Sequence, residues 1–416
     1  MCSPALKRIL TAFGTVALLV MSANAAAAEE KPAASPNDTC LMCHADMTAK
    51  SDSGKAIGVD KAKFAASVHG QMQFKCTDCH SDVSVDKLPH APKLKPANCA
   101  ACHEDQVKLY QATVHGQAQA KGNTVAATCG DCHGKHDILK SKNPASRTHV
   151  AKIESTCGAC HGNDALIKQA NLPGGNIRSQ YHDSVHGQKT NAPGGAASGA
   201  PTCTSCHGTH NILAKADPKS RTARDRILDM CGSCHQRVRA NFGHSLHGQL
   251  RQSGMTAAPA CIDCHTPHRI QPHNATRFQI EVINECGNCH TEQIETYRDT
   301  FHGQVTELGY TRVATCASCH GSHEILPASM PASMVAPENR VTTCRQCHRG
   351  ANENFARYAP HGNAHDRDRY PVLYYTKKFM DWLLIGVFAF FGIHTAFWLA
   401  RSLREVRARK AGRPTE

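Results

Sequence analysis

Twenty-two of the chain's 23 cysteines fall into eleven Cys-x-x-Cys pairs, and a histidine follows every pair immediately. The sets are Cys40-Cys43-His44, Cys76-Cys79-His80, Cys99-Cys102-His103, Cys129-Cys132-His133, Cys157-Cys160-His161, Cys203-Cys206-His207, Cys231-Cys234-His235, Cys261-Cys264-His265, Cys286-Cys289-His290, Cys316-Cys319-His320 and Cys344-Cys347-His348. At the chain's histidine frequency, eleven such coincidences have odds on the order of ten to the minus thirteen. Two thiols at this spacing can form thioethers to the vinyl groups of one porphyrin, and the adjacent imidazole can take its iron. Cys-x-x-Cys-His is therefore read as covalent haem attachment. A zinc ribbon or a disulfide scaffold also uses Cys-x-x-Cys, but neither needs histidine next to each pair. The expected cofactors are eleven c-type haems, with the eleven histidines of these sets as proximal ligands.

Composition agrees with an interior that the cofactor builds. A chain of 416 residues with only 2 Trp, 8 Tyr and 12 Phe is poorly supplied for a conventional core of its size. On these motifs the chain resembles the multihaem c-type cytochromes over residues 40 to about 365, at roughly 30 residues per haem. The resemblance implies mostly short α-helices and coil around a stacked haem chain, with no stable fold in the absence of haem.

Candidates for the sixth ligand recur with the motifs. The odd-numbered motifs lead to a His-Gly pair, at His69, His115, His186, His247, His302 and His361. The even-numbered motifs lead to a further histidine, at His90, His136, His210, His268 and His323. An aromatic lies seven residues past the odd proximal histidine at Tyr110, Phe242, Tyr297 and Phe355, or twenty past it at Phe64 and Tyr181. From the fourth motif on, an isoleucine stands two residues beyond the second histidine, at Ile138, Ile212, Ile270 and Ile325. The unit is thus a two-haem module repeated about five and a half times. His90 breaks the even spacing, which makes the second motif the place to look for an open site. His149, His182, His244, His273 and His365 fall outside the pattern and are read as solvent or propionate contacts. Of these, His182, His244 and His273 lie near enough to a favoured candidate to replace it. This paired arrangement is similar to that of multihaem cytochromes of bacterial respiratory chains, where a second histidine fills the sixth iron position.

Residues 1–28 read as a secretory signal peptide: Lys7 and Arg8, an apolar run from Ile9 to Met21, then small residues to Ala28. Residues 29–370 form the expected periplasmic haem domain. Residues 371–400 are expected to cross the membrane, with 22 apolar-rich residues from Phe379 to Ala400 and Trp382 and Trp398 near the ends. Residues 401–416 form a basic tail that the positive-inside rule places in the cytoplasm. The formal charge of +13 falls to +7 once the leader's two cations and the tail's net four are set aside. That remainder, spread out and facing haem propionates, does not call for a nucleic-acid partner.

His394 lies inside the span, where an ionisable group suggests a b-haem ligand or a quinol contact, the alternative being a neutral imidazole at a helix interface. The stretch from Tyr370 to Glu405 resembles the membrane entry of quinol-linked cytochrome complexes with a separate b-type subunit. That resemblance implies a membrane b-type or quinol-oxidising partner, with electrons reaching the eleventh haem first. The expected function is electron transfer along eleven bis-histidine haems between the quinol pool and periplasmic or outer-membrane redox proteins, from the bacterial inner membrane. No catalytic residue is assigned. The competing reading is a terminal reductase or oxidase of small nitrogen or sulfur compounds with one open haem.

Overall fold

The computed structural model describes residues 35, 37–196 and 198–411, so the leader peptide and the last five residues lie outside it. Among the described residues there are helices, turns and one isolated bridge, Lys50 with Ala56, but no strand. The α-helices among them run from 4 to 12 residues, apart from one of 40 residues, Pro371–Lys410. Isolated helices this short are marginal in water, so their stability must come from what they pack against.

That packing is only sparsely aliphatic. Among the described residues, Thr113, Ser67, Ser184 and Ser245, all hydroxyls, are buried as completely as Ile227. Ile283, Ile294 and Tyr297 form a small apolar cluster against Cys316.

Chain contacts divide the protein into two compact units. The first comprises Met1–Lys61 and Lys75–Lys95 and carries motifs one and two; the second comprises Ala62–Phe74 and Pro96–Glu416 and carries the other nine. The excursion over 62–74 belongs to the second unit because the Val68 amide donates to the carbonyl of Ile138 at 2.8 Å.

That bond is the first of four copies. The amides of Val114, Val185 and Leu246 donate to Ile212, Ile270 and Ile325 at 2.9 to 3.0 Å. The periodic isoleucines thus mark the carbonyls that tie one module to the next. A serine follows three of them: Ser146, Ser220 and Ser333 donate to the carbonyls of Leu139, Leu213 and Leu326 and close the turn behind the tie.

Within a module, the conserved spacing of the aromatic has an equally local cause. The hydroxyls of Tyr110, Tyr181 and Tyr297 donate to the carbonyls of Ala127, Pro201 and Ala314, each two residues before an even-motif cysteine. Phe242 has no hydroxyl to make this bond.

The C-terminal helix is long and apolar enough to cross a membrane. Forty residues at about 1.5 Å each span roughly 60 Å, twice the hydrocarbon thickness. The helix therefore continues through the first ten residues expected as a separate basic tail, with Arg401 paired to Glu405 at 2.8 Å. Pro371 at its first turn costs no hydrogen bond there and presets the helical φ.

Candidate haem-binding sites

Five of the six distal candidates of the odd motifs sit at the start of their own helix, and the sequence around them explains the geometry. Ser67, Thr113, Ser184, Ser245 and Thr300 are N-caps whose hydroxyls accept from the amides of Gly70, Gly116, Gly187, Gly248 and Gly303 at 3.0 to 3.1 Å. Four of these hydroxyls also donate, at 2.6 Å, to the carbonyl of the aromatic three residues back. The glutamine after the glycine reaches back to a carbonyl five residues earlier, as Gln117 does to Ala112 at 3.1 Å.

The glycine itself is forced by this turn. A Cβ at Gly116 would lie 2.2 Å from the Tyr110 carbonyl oxygen, and at Gly187 1.9 Å from that of Tyr181. Cap, glycine and glutamine together hold the intervening histidine in one direction.

The even motifs carry a different device. The residue before each second cysteine is Asp78, Asp131, Ser205, Asp263 or Ser318, and its side chain accepts the amide just ahead of the first cysteine at 2.7 to 3.1 Å. This half of a capping box closes the attachment helix. Neither this Asp or Ser nor the Ser/Thr caps were singled out from sequence, although both recur at fixed offsets from the motifs.

Histidines from distant parts of the chain then face one another. In the first unit, His44 and His90 have ring centroids 5.9 Å apart with planes only 4° from parallel. In the second unit, nine more pairs form: His69 with His103, His115 with His161, His133 with His210, His186 with His235, His207 with His268, His247 with His290, His265 with His323, His302 with His348, and His320 with His361. Their centroids are 5.7 to 6.2 Å apart. Every pair joins one motif histidine to one distal candidate.

The direction of pairing follows a rule. A His-Gly histidine serves the next odd motif, whereas an even-motif second histidine serves the previous even motif. His361 is the exception, and His90 turns to the first motif. Pro360 and the missing Ser/Thr cap leave His361 in a turn rather than on a helix, and it faces His320 of the tenth motif.

His80 and His136, the remaining candidates, lie at the end of Cys76–Cys79 and in the turn after Cys129–His133. Among the outliers, His182 contacts Glu154 at 3.2 Å and His149 accepts the Ala151 amide. Their neighbours in the pattern, not they, face a motif histidine.

Ring orientation fits axial ligation. The His44 Nδ1–H donates to the Ile57 carbonyl at 2.9 Å and the His90 Nδ1–H to Ala91 at 2.8 Å, which leaves Nε2 free to bind metal. His133 and His210 approach through Nε2 at 3.5 Å. With imidazole–metal bonds of about 2.0 Å, two axial rings place their centroids about 6 Å apart, the spacing seen here. Burial draws the imidazoles of His115, His161, His207 and His268 below their ordinary pKa and favours the neutral form that a metal requires.

The attachment cysteines complete the fit. None of the 22 described cysteines is in a disulfide. Among the described residues, no three His, Cys, Asp or Glu side chains converge as a tetrahedral zinc centre would need.

Within a module, the first thiols of the two motifs meet. Burial and the neighbouring Cys40 push the Cys76 thiol up to about 11. Hydrogen bonds from Cys231 and Cys316 draw Cys261 and Cys286 down to about 7. The first candidate attachment thiols of a module's two motifs therefore stand side by side.

Residues 68–162 match the cytochrome c3 family. The matched segment spans motifs two to five and supports a multihaem c-type cytochrome with c-type haem cofactors and an electron-transfer role. Its helical, strand-free architecture agrees with the cytochrome c3 match. No curated protein and no solved structure matches the chain.

Proposed function

We propose that this chain holds eleven c-type haems, each between two imidazoles, and conducts electrons between the membrane quinol pool and periplasmic or outer-membrane redox proteins. The observation that carries the reading is the recurrence of facing histidine pairs, ten of them at 5.7 to 6.2 Å. Haem c supplies a reversible one-electron couple, and axial ligands and burial set its potential.

The chain's own residues do the rest. Paired imidazoles close both axial positions against substrate. Backbone carbonyls such as that of Ile57 fix the ring tautomer. Contacting thiols bring consecutive attachment points within a module together, so that electrons need not leave the protein between them.

Membrane attachment through Pro371–Lys410, with the basic end of that helix in the cytoplasm, would hold the row at the outer face of the inner membrane, beside a b-type or similar quinol-oxidising subunit. His90 faces His44 of the first motif rather than His80 of the second.

Spectroelectrochemical titration of the detergent-purified holoprotein tests this. The expected result is reversible low-potential reduction of all haem with no turnover of nitrite or hydroxylamine. Turnover accompanied by high-spin haem would favour a terminal reductase instead.

A further inference from the structure

We infer that the site formed by His320 and His361, not that of the last motif, is the one closest to the membrane and the port through which electrons pass between bilayer and protein. This rests on the membrane-anchored reading above and names the site it leaves open. The argument begins at His361, which faces His320 at 6.2 Å and has its Nδ1 held 3.2 Å from the Thr296 hydroxyl.

The residue after it, Gly362, is pressed against the long helix: a Cβ there would stand 2.8 Å from Leu373 Cδ1. Leu373 is the third residue of Pro371–Lys410. The intervening loop is tightly turned, with Gly362, Asp366 and Tyr370 amides donating to Ala359, Asn363 and Asp366 carbonyls at 3.0 to 3.2 Å. The ring is thus tied to the helix both by a short braced loop and by direct packing.

The depth of that contact follows from the helix. The apolar stretch starts at Phe379, about 9 Å along the axis from Leu373. Between them, Lys378 lies over the Tyr374 ring at 5.8 Å, and Arg367 reaches Tyr375 from the loop. Tyrosine and cationic side chains just outside an apolar stretch sit at headgroup level. His361 therefore approaches the bilayer surface. The eleventh motif looks the other way along the chain, because His348 takes its partner from His302 on Phe301–Glu307.

The test uses full-length holoprotein in phosphatidylcholine nanodiscs, with and without a gadolinium-chelate headgroup lipid. His361→Gly and His302→Gly each open one axial position and give one high-spin EPR signal that reports that site alone. The inference predicts that gadolinium lipid shortens the relaxation time of the His361→Gly signal several-fold more than that of His302→Gly. Equal effects, or a larger effect for His302→Gly, would overturn it.

No effect on either variant in protein that co-elutes with the discs also overturns it. Failure to co-elute would overturn the anchored reading on which it rests. Should a glycine variant lose haem, His361→Met and His302→Met keep a sixth ligand and carry the same comparison through their displaced low-spin signals.

Discussion

His133 and His210 aim their Nε2 atoms at each other across 3.5 Å, although 77 residues separate them in sequence. The partner of the fourth motif's histidine is therefore supplied by the sixth motif's segment, one module further along. His210→Gly should convert one low-spin centre to high-spin. Combining it with Cys129→Ala and Cys132→Ala, which remove the fourth attachment, should abolish the new signal, whereas Cys203→Ala and Cys206→Ala should leave it. EPR with haem counting by mass spectrometry reads the outcome, and the opposite dependence would break the pairing rule.

The His-Gly turn makes a stability prediction. Thr113 is 2 % exposed and its hydroxyl both accepts from Gly116 and donates to Tyr110. Thr113→Val should cost about 1–2 kcal/mol in denaturant unfolding of the holoprotein, and Thr113→Ser should cost far less. Gly116→Ala, which drives a methyl into the Tyr110 carbonyl, should cost more than about 2 kcal/mol. Gly386→Ala, in open space on the long helix, should be silent.

A pH dependence is expected at the fourth attachment helix. The Thr128 hydroxyl, 2.6 Å away, together with the Thr128 amide holds the Asp131 carboxyl below its ordinary pKa. A carboxyl whose folded pKa is depressed contributes stability that is present above the unfolded value near 3.9 and lost as pH falls through the folded one. Because the group is mostly exposed, Asp131→Asn should lose no more than about 0.5–1 kcal/mol at pH 7. The gap to the parent should narrow as pH falls below the ordinary carboxylate range. Asp131→Ser copies the serine found at positions 205 and 318 and should restore most of the stability with no acid dependence of its own.

Ring orientation varies continuously across the pairs, from 4° through 20°, 36° and 46° to 60°. His44 with His90, His133 with His210, and His207 with His268 are within 16° of parallel, whereas His69 with His103 and His115 with His161 are tilted by about 60°. Parallel imidazole planes split the iron dπ orbitals more than crossed ones do. A broad spread of low-spin EPR signals is therefore expected, and a single homogeneous family would show that the rings turn when haem binds.

Much of this was legible because haem attachment is local chemistry. Cys-x-x-Cys-His names its own candidate ligand, and the periodic spacing marks ten of the rings that face a motif histidine. Which ring meets which was not legible, since pairing depends on ties such as Val114 to Ile212 between segments 98 residues apart.

His361 joins the His-Gly set by its glycine and by Phe355 at the shared aromatic offset. The absent cap at that position was the signal that it behaves differently. The aromatic's fixed offset is visible in sequence, but the role of the Tyr110, Tyr181 and Tyr297 hydroxyls in holding the next motif's approach depends on tertiary contacts.

The central claim is that this protein is a row of haems, each closed by two imidazoles. Low-temperature EPR spin quantitation on fully oxidised holoprotein, set against total haem from the pyridine haemochrome, tests it most directly. The account predicts eleven haems per chain and low-spin iron at every one. Fewer than ten haems, or several high-spin centres in the resting protein, would contradict it.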